Sequence, residues 1–358
     1  MKILILSLGR KNSLPLYARS IVKYLKSPYD LIVSKNTTIE YTGCSNIKKW
    51  KTYNGNISFF LNSFFYLPFK ITLLIGDVLF RYSILYIPYS HNWDLPIMLL
   101  FKIFNKKIIY TVHDGKLHEG QDHWLLQQIE NCRIKLADEL VFLTQHVKNS
   151  VSGNILATKT YHIVPHGLLE NSFIDFSRRK TNKNILFFGR LTPYKGIELL
   201  MEAFENIADT DLSLKIAGKS YFPFRESSDE RIEVIDKYLS AQEIGELFTW
   251  ADVLVLPYTS ATQSGVLALG IYAELPIICT RRGGMLEQLK EPEAIWTEPN
   301  VEDLSKALMM IKDKKKMNML ALKMKAKKDQ LDWKFLADQI DSILACRPYA
   351  KVVDTTRN

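Results

Sequence analysis

The sequence predicts an α/β protein of two Rossmann-like domains, each built on a parallel sheet, that face one another across a cleft. Short apolar strands alternate with helical segments along most of the 358 residues, which is typical of doubly wound parallel sheets. The alternation stops at a polar, charged segment over 172–183 and then starts again. We therefore place the first domain at residues 1–170 and the second at 171–332, followed by a final helical segment.

The composition is that of a globular protein with an excess of positive charge. Charged residues make up 24% of the chain and apolar residues 47%, and the formal net charge is +9. Such an excess favours anionic partners, among them nucleic acid, phosphorylated small molecules and acidic membrane surfaces. The cysteines are far apart and form no C-x-x-C pair, so we expect neither a metal site nor a disulfide framework, as in a reducing cytosol: Cys44, Cys132, Cys279 and Cys346.

Six strands are predicted in the first domain. The first, at 2–7, is too short for a signal-peptide core and runs into Gly9 ahead of a helical pattern. The others lie at 30–34, 84–87, 107–112, 139–143 and 161–164. His113 directly follows the fourth strand, where ligands of parallel sheets bind, which favours a functional over a structural histidine. The weaker candidates are His118, His123 and His166.

The segment 57–87 is the most apolar part of the chain. Aromatic residues crowd its first part, but polar and charged residues interrupt it and argue against a membrane-spanning helix: Asn62, Pro68, Lys70, Asp77 and Arg81. Two interpretations stay open. The segment is either a helix buried in the first domain or an aromatic and basic surface that rests in a bilayer interface. Burial is the favoured interpretation.

The segment 185–196, with the sequence ILFFGRLTPYKG, predicts an anion-binding site. A short apolar strand ends at Gly189, and Arg190 and Lys195 follow. Between them, Thr192 is a candidate N-cap and Pro193 a candidate first residue of an amphipathic helix. A helix N-terminus and two cations suit a doubly charged anion such as a phosphate, and this interpretation is favoured over two solvated surface cations.

Further strands of the second domain are predicted at 212–217, 232–236, 253–256 and 276–279. The last two lead into turns ahead of helical runs: the turn at 257–265 contains glycine and small hydroxyl residues, and the turn at 281–284 has the sequence RRGG. Such turns leave backbone N–H groups open towards an anion, although each alone is also ordinary punctuation of an α/β fold. Their order after the Arg190–Lys195 turn favours a shared site.

A lysine-rich helical run at 312–328 closes the second domain. It lacks interleaved aromatic residues, so a solvated helix face is favoured over a nucleic-acid-binding arm. An apolar stripe then predicts one last helix, through Trp333, Leu336, Ile340 and Leu344.

Four motifs of the second domain resemble the retaining, GT4-type glycosyltransferases of the GT-B fold. They are FGRL-x3-KG at 188–196, ADVLVLP at 251–257, LPII at 275–278 and GG-x2-E at 283–287. The first domain is similar to that family at YTVHD (110–114) and VPHG (164–167). The helix over about 333–358 resembles the family's last helix, which returns to the first domain.

The resemblance implies a site for a nucleotide-sugar donor. The implied diphosphate-binding residues, some through backbone N–H groups, are Arg190, Lys195, Gln263, Ser264, Gly265 and Gly9. The implied neighbours of the nucleobase and ribose are Tyr238, Leu239 and Leu269, and those of the donor sugar are His113, Thr262 and Gln263. The implied catalytic residues are His113, Arg190 and Lys195, because a departing nucleotide diphosphate gains negative charge that fixed cations stabilise.

The chain departs from the family pattern at one point. Family members commonly carry two glutamates eight positions apart in the segment that aligns with 261–269, where this chain has Ala261 and Leu269. The usual carboxylate contacts to the donor sugar and ribose are therefore missing or supplied from elsewhere.

The sequence thus predicts a cytoplasmic, metal-independent glycosyltransferase without a cofactor. We expect it to move a hexose-type sugar, with retention of configuration, from a nucleotide diphosphate to a hydroxyl of a glycan or lipid-linked acceptor in surface polysaccharide biosynthesis. We expect peripheral contact with an anionic membrane and no nucleic-acid partner. The alternatives are a sugar-nucleotide epimerase or phosphorylase of the same fold, and a non-catalytic basic protein that binds membranes or polyanions.

Overall fold

The computed structural model describes residues 2–10, 13–44, 46–116, 124–178, 181–208 and 211–345. They form two compact α/β units. The first comprises the described residues up to 116, 124–167 and those from 333 onwards, and the second comprises 168–332. His118, His123, Cys346 and the part of the predicted last helix beyond 345 lie outside the described residues.

Thirteen described strands form two parallel sheets. Those of the first unit are β1 (Lys2–Ser7), β2 (Tyr29–Ser34), β3 (Ile47–Trp50), β4 (Tyr82–Ile87), β5 (Lys107–Val112), β6 (Glu139–Phe142) and β7 (Thr160–Ile163). Those of the second unit are β8 (Asn184–Phe188), β9 (Ser213–Gly218), β10 (Ile232–Asp236), β11 (Val253–Leu256), β12 (Ile277–Thr280) and β13 (Ile295–Thr297). The sheet orders are β3-β2-β1-β4-β5-β6-β7 and β10-β9-β8-β11-β12-β13. The predicted α/β class with two parallel-sheet domains is confirmed.

Helices connect the strands of both units. The first stretch of chain contains α1 (Ser13–Tyr24), α2 (Asn56–Leu61), α3 (Leu67–Phe80), α4 (Asp94–Ile103), α5 (Trp124–Leu136), α6 (Gln145–Ser150) and α7 (Gly153–Leu156). Then follow α8 (Ile197–Glu205), α9 (Ala241–Trp250), α10 (Gly265–Tyr272), α11 (Met285–Gln288), α12 (Val301–Met309), α13 (Lys314–Gln330) and α14 (Trp333–Leu344). A π-helical turn, Asn62–Tyr66, joins α2 to α3 in one continuous helix, Asn56–Phe80.

The central strands of the first sheet are buried on both faces, which is why their sequences are continuous apolar runs. Alternate residues of β1 point to opposite sides of the sheet, so Leu4 packs in the core formed with α3, α4 and α5, whereas Ile5 packs in the core formed with α1 and α14. In the second of these cores Trp333 contacts Tyr17, with 5.3 Å between the ring centroids. The last helix therefore belongs to the first unit.

The sequence pattern does not predict β3 and β13, and both strands lie at the edge of a sheet. β3 has the sequence IKKW, and β13 has only three residues. Neither has the apolar run that predicts a central strand. An edge strand has a neighbouring strand on one side only and is less completely covered.

The favoured burial of the aromatic segment is wrong. The helix Asn56–Phe80 packs one side on the first unit, through Leu67, Leu74 and Val78. Its opposite side exposes a row of large apolar side chains, with Phe64 76% and Phe80 90% exposed. We call this row the apolar face: Ile57, Phe60, Phe64, Phe65, Phe69, Leu73 and Phe80.

The helix predicted to begin at Pro193 begins later. Pro193–Lys195 forms one 3-10 turn, and the α-helix starts at Ile197 after Gly196. Thr192 precedes the turn but makes no side-chain capping bond, and its hydroxyl is buried without a hydrogen-bond partner among the described residues. The α-helix begins only at Ile197 because Gly196 adopts a left-handed conformation, which separates the 3-10 turn from the α-helix.

Candidate active site in the second unit

The Arg190–Lys195 turn follows β8 in the middle of the second sheet. Its neighbours in the sheet are β9 and β11, so the turns after these three strands meet at one edge. Gly196, at the end of the turn, has a φ of 69°, and a Cβ there would lie 2.1 Å from the carbonyl oxygen of Pro257. The absence of a side chain therefore lets this turn pack directly on the segment that follows β11.

Lys195 is nearly buried, with 7% of its surface exposed. Its Nζ donates a hydrogen bond to the hydroxyl of Tyr258 at 2.7 Å and lies 3.9 Å from the centre of that ring. Burial raises the pKa of Tyr258 above its usual range, so the tyrosine remains neutral. Its ring face stabilises the ammonium as a cation. A positive charge is thus held in place beside the turn.

Arg190 stands at the same turn but is exposed. Within the described parts of the chain it has no salt-bridge partner. Its charge reaches two tyrosines, because it counteracts the burial that raises the pKa of Tyr258 and the hydrogen bond to Tyr238 that raises the pKa of Tyr221. One buried and one exposed cation therefore lie at this edge of the sheet.

Ser264 is the N-cap residue of α10, the helix that follows the turn at 257–265. Its hydroxyl caps α10 by accepting from the N–H of Leu267 at 3.2 Å, and it lies 3.5 Å from the Tyr258 hydroxyl. The two turns are thereby linked through Lys195, Tyr258 and Ser264. The backbone N–H of Ser264 is not open towards an anion, however, because it donates to Oε1 of Gln288 at 2.8 Å. The predicted contact between the backbone N–H of Ser264 and an anion is therefore wrong.

Two neighbouring residues of the turn, Gln263 and Gly265, keep polar groups available. Gln263 has a buried Oε1 without a hydrogen-bond partner among the described residues. Gly265 is the first residue of α10, where backbone N–H groups have no partner inside the helix. Thr262 is buried, and its carbonyl oxygen would lie 1.8 Å from a Cβ on Gly284, so the glycine pair at 283–284 allows these segments to pack.

The residues expected around the nucleobase and ribose are spread over the second unit. The hydroxyl of Tyr238 lies 2.9 Å from that of Tyr221, whose N–H donates to the carbonyl oxygen of Leu191, so Tyr238 is connected to the Arg190 turn. Leu239 lines a cavity of about 350 Å³ together with Ile235, Lys237, Leu247 and Trp250. Leu269 is buried within α10, as is Ala261 in the preceding turn. The two positions that carry glutamates in the family therefore hold apolar, buried side chains here.

His113 and Gly9 belong to the first unit. Pro88 offers a carbonyl oxygen 2.9 Å from Nε2 of His113, so this nitrogen carries the proton and Nδ1 is an acceptor. Nδ1 is buried without a described hydrogen-bond partner, and burial lowers the pKa of the ring. The N–H of Gly9 donates to the hydroxyl of Tyr89 at 2.9 Å, and a Cβ on Gly9 would lie 2.9 Å from the same oxygen. The histidine is thus a neutral, buried acceptor.

Two polar residues of this arrangement were not assigned from the sequence. Tyr258 lies in the turn at 257–265, but its contact with Lys195 depends on how the two turns pack in the folded chain. Gln288 lies in α11 and reaches back to both the N–H and the carbonyl oxygen of Ser264. The nearest sequence signal for Gln288 was the adjacent Glu287. Among the described residues, no group of three or more His, Cys, Asp or Glu side chains is arranged to hold a metal ion.

Comparison with known sequences matches most of the second unit to one family model. Residues 182–313 match the family model described as glycosyl transferases group 1. A GDP-mannose:glycolipid 4-beta-D-mannosyltransferase from Xanthomonas campestris is 29% identical over 190 residues, 51% of this chain and 52% of the relative. An uncharacterized glycosyltransferase from Methanocaldococcus jannaschii is 32% identical over 130 residues, 34% of this chain and 33% of the relative. The chain thus spans about half the length, or less, of these curated relatives.

Comparison with solved structures shows the same fold over nearly all of the chain. The Anabaena protein HepE in complex with UDP-glucose superposes with a TM-score of 0.74 at 16% identity, covering 97% of this chain and 100% of HepE. Sucrose-phosphate synthase from Thermosynechococcus elongatus also has a TM-score of 0.74 at 16% identity, covering 96% and 98%. At such identities the likeness shows the fold alone. Together, the family match of residues 182–313 and the fold of both units confirm the predicted resemblance to GT4-type glycosyltransferases of the GT-B fold.

Proposed function

We propose that the chain is a glycosyltransferase that moves a hexose from a nucleotide diphosphate sugar to a hydroxyl of a lipid-linked glycan in surface polysaccharide biosynthesis. The observation that carries this proposal is Lys195, a buried ammonium placed between the turns after β8 and β11. The glycolipid mannosyltransferase from Xanthomonas supports the acceptor class, and the UDP-glucose complex of HepE supports the donor class.

The chemistry that these residues supply is stabilisation of a leaving group. As the bond between sugar and phosphate breaks, the diphosphate gains negative charge, which Lys195 and Arg190 stabilise. Because Lys195 is already ordered by Tyr258, its charge requires little reorganisation during the reaction. Arg190 is exposed and can close on a bound phosphate through two parallel hydrogen bonds. Gln263 and the N–H of Gly265 provide further polar contacts.

Donor binding is testable without knowledge of the acceptor. Purified protein is titrated with GDP, UDP and ADP, and its melting temperature is followed, since a ligand that binds only the folded state stabilises it by mass action. We expect one base to be preferred. A melting temperature that no nucleotide shifts would contradict the proposal. Metal independence stays a prediction, and the same titration with and without a chelator tests it.

Transfer itself is tested with the preferred nucleotide sugar and a glycolipid acceptor. Product formed only when both are present supports a transferase, whereas conversion of the nucleotide sugar alone would identify an epimerase. Retention of configuration also stays a prediction. The anomeric configuration of the product, measured by NMR and compared with that of the donor, decides it.

We further propose that the first unit rests on the inner face of an anionic membrane through the apolar face. Phenylalanine side chains are well suited to the boundary between headgroups and acyl chains. Positive charge lies close by, since Lys70 is on the same helix and Lys106 donates to the carbonyl oxygen of Leu79. α4 extends the exposed apolar surface through Leu99 and Ile103.

The way in which the helix is attached favours lying in the interface over crossing the bilayer. By length and composition, Asn56–Phe80 is the one helix among the described residues that could span a membrane. However, it is tied to the first unit along its length: Trp93 Nε1 donates to Ser63 Oγ at 2.8 Å, and Lys48 pairs with Asp77 at 2.6 Å. Spanning would break these contacts and expose the core surface that the helix covers.

A further inference from the structure

Four loops at one edge of the first sheet carry more positive than negative charge. They follow β1, β2, β3 and β4, and their described residues are 8–10, 35–44 and 46, 51–55 and 88–93, among which Glu40 is the one carboxylate. Because neighbouring strands of a parallel sheet end at the same edge, these loops lie side by side. They contain Arg10, Lys35 and Lys51, none of which forms a salt bridge with a described residue. This edge is therefore electropositive.

Amide side chains stand beside these cations. Arg10 Nη1 donates to Oδ1 of Asn54 at 2.7 Å, and the Nδ2 of Asn36 donates to the same oxygen at 3.0 Å. On the other side, Nδ2 of Asn92 donates to the hydroxyl of Tyr53 at 2.9 Å. Asn54 and Asn92 are exposed, so their remaining donors and acceptors face solvent. We call Arg10, Lys35, Lys51, Asn54 and Asn92 the edge cluster.

The loop that carries Asn92 is anchored by hydrogen bonds to Asp94 and Arg133. The N–H of His91 donates to Asp94 Oδ2 at 2.7 Å, and Arg133 binds both oxygens of Asp94 at 2.9 Å. Arg133 also donates to the carbonyl oxygen of His91. Burial lowers the pKa of His91 to about 3, so the ring is neutral. The loop is thereby ordered before any ligand binds, which reduces the entropy lost on binding.

A continuous row of aromatic rings leads from the edge cluster to the apolar face. The ring of Tyr53 lies 5.6 Å from that of His91 and 4.7 Å from that of Phe59. Phe59 in turn lies 5.7 Å from Phe60, which belongs to the apolar face. A second tie is the bond from the N–H of Lys51 to the hydroxyl of Tyr66 in the same helix. A polar, cationic surface and a membrane-facing surface are therefore contiguous.

We propose that this edge of the first unit binds the phosphate-bearing head of a lipid-linked acceptor, with the edge cluster on the phosphate and the apolar face along the lipid chain. The inference rests on the proposed function and makes it more specific, because it states that the lipid-linked acceptor carries a phosphate. A neutral glycolipid would leave three cations unused, whereas a phosphate monoester or diester next to a long hydrocarbon satisfies both surfaces. Arg10 is the strongest contributor, because guanidinium pairs with phosphate in a bidentate manner.

The test measures binding rather than transfer, so that it is independent of donor and turnover. Phosphatidylcholine vesicles are doped either with undecaprenyl phosphate or, to the same surface charge, with phosphatidylglycerol, and co-sedimentation of the full chain is measured. A surface that responds only to membrane charge binds both equally. We expect the wild-type chain to bind the polyprenyl phosphate vesicles about tenfold more tightly.

Two variants and a matched control assign this preference to the edge cluster. Arg10→Gln and Asn92→Asp should each remove most of the preference and leave binding to phosphatidylglycerol vesicles nearly unchanged. Lys26→Gln is the control, since Lys26 is an exposed cation of the same unit that precedes β2 at the opposite edge of the sheet and pairs with Asp338. It should keep the preference.

Equal binding of the wild-type chain to both vesicle types would overturn the inference, as would a preference that survives both variants. Failure of glycosyl transfer with an intact preference would instead contradict the proposed function and leave the lipid phosphate site standing. A chain that transfers sugar to a phosphate-free glycolipid and shows no preference would confirm the function and remove the site.

Discussion

The ammonium of Lys195 lies 2.7 Å from the hydroxyl of Tyr258, at the point where the turns after β8 and β11 meet. This contact orders a flexible side chain whose charge the proposed reaction needs. It also explains how a lysine can be nearly buried, because the ring face and the hydroxyl replace part of its hydration.

Removal of this charge should weaken nucleotide binding. We expect Lys195→Ala to raise the dissociation constant for the preferred nucleoside diphosphate about 10- to 100-fold, since a hydrogen bond to a charged group contributes about 1.5–3 kcal/mol. Isothermal titration calorimetry measures it. Lys183→Ala is the control, because Lys183 is an exposed lysine of the same unit that pairs with Asp211. Equal affinities of both variants and the wild-type chain would refute the assigned role.

The left-handed glycine of the site should be irreplaceable. At Gly196 an alanine would have to adopt a φ of 69° and place its Cβ 2.1 Å from the Pro257 carbonyl oxygen. We expect Gly196→Ala to lower the free energy of unfolding by about 2–4 kcal/mol, as measured by urea denaturation. Gly153→Ala, where a Cβ would meet nothing within 4 Å, should be nearly neutral. Similar losses in both variants would show that the close approach to Pro257 is unimportant.

The apolar face should control membrane binding without contributing to folding. Phe64→Ser combined with Phe65→Ser should weaken binding to anionic vesicles at least about tenfold, because two exposed rings no longer enter the interface. Phe335→Ser, which changes an exposed phenylalanine of α14, is the matched control. Flotation in a density gradient measures binding, and unfolding curves check stability. Unaltered flotation of the double variant would exclude this face as the contact.

Stability should fall as the pH is lowered from 7 towards 4. Burial lowers the pKa of His166 to about 4, whereas the unfolded chain has an ordinary histidine pKa of about 6.5. The unfolded state therefore binds protons first, and the stability present above pH 6.5 is lost as the pH falls through this window, by up to about 3 kcal/mol for this residue. Urea denaturation across the window measures the loss. His166→Asn should flatten the curve, and an unchanged slope would mean that other groups dominate.

The second site turn shows where sequence reasoning succeeds and where it fails. The sequence predicts Ser264 at a strand-to-helix turn, and its hydroxyl caps α10. The sequence also predicts that its N–H faces an anion, yet Gln288, which lies 24 residues further along the chain, accepts that hydrogen bond. Local residue types predict a turn and a cap, but the partner of each backbone group depends on which side chain arrives from another element.

The sequence by itself determined the alternation of strands and helices, the two parallel sheets and the position of the Arg190–Lys195 turn, because periodicity and turn chemistry act over a few neighbouring residues. Only the tertiary structure decided that the aromatic helix exposes its apolar face, that Lys195 rests on Tyr258, and that the loops around Arg10 form one cationic edge. Burial and contact depend on residues far apart in the chain, and an apolar helix has the same local pattern whether a core or a membrane covers it.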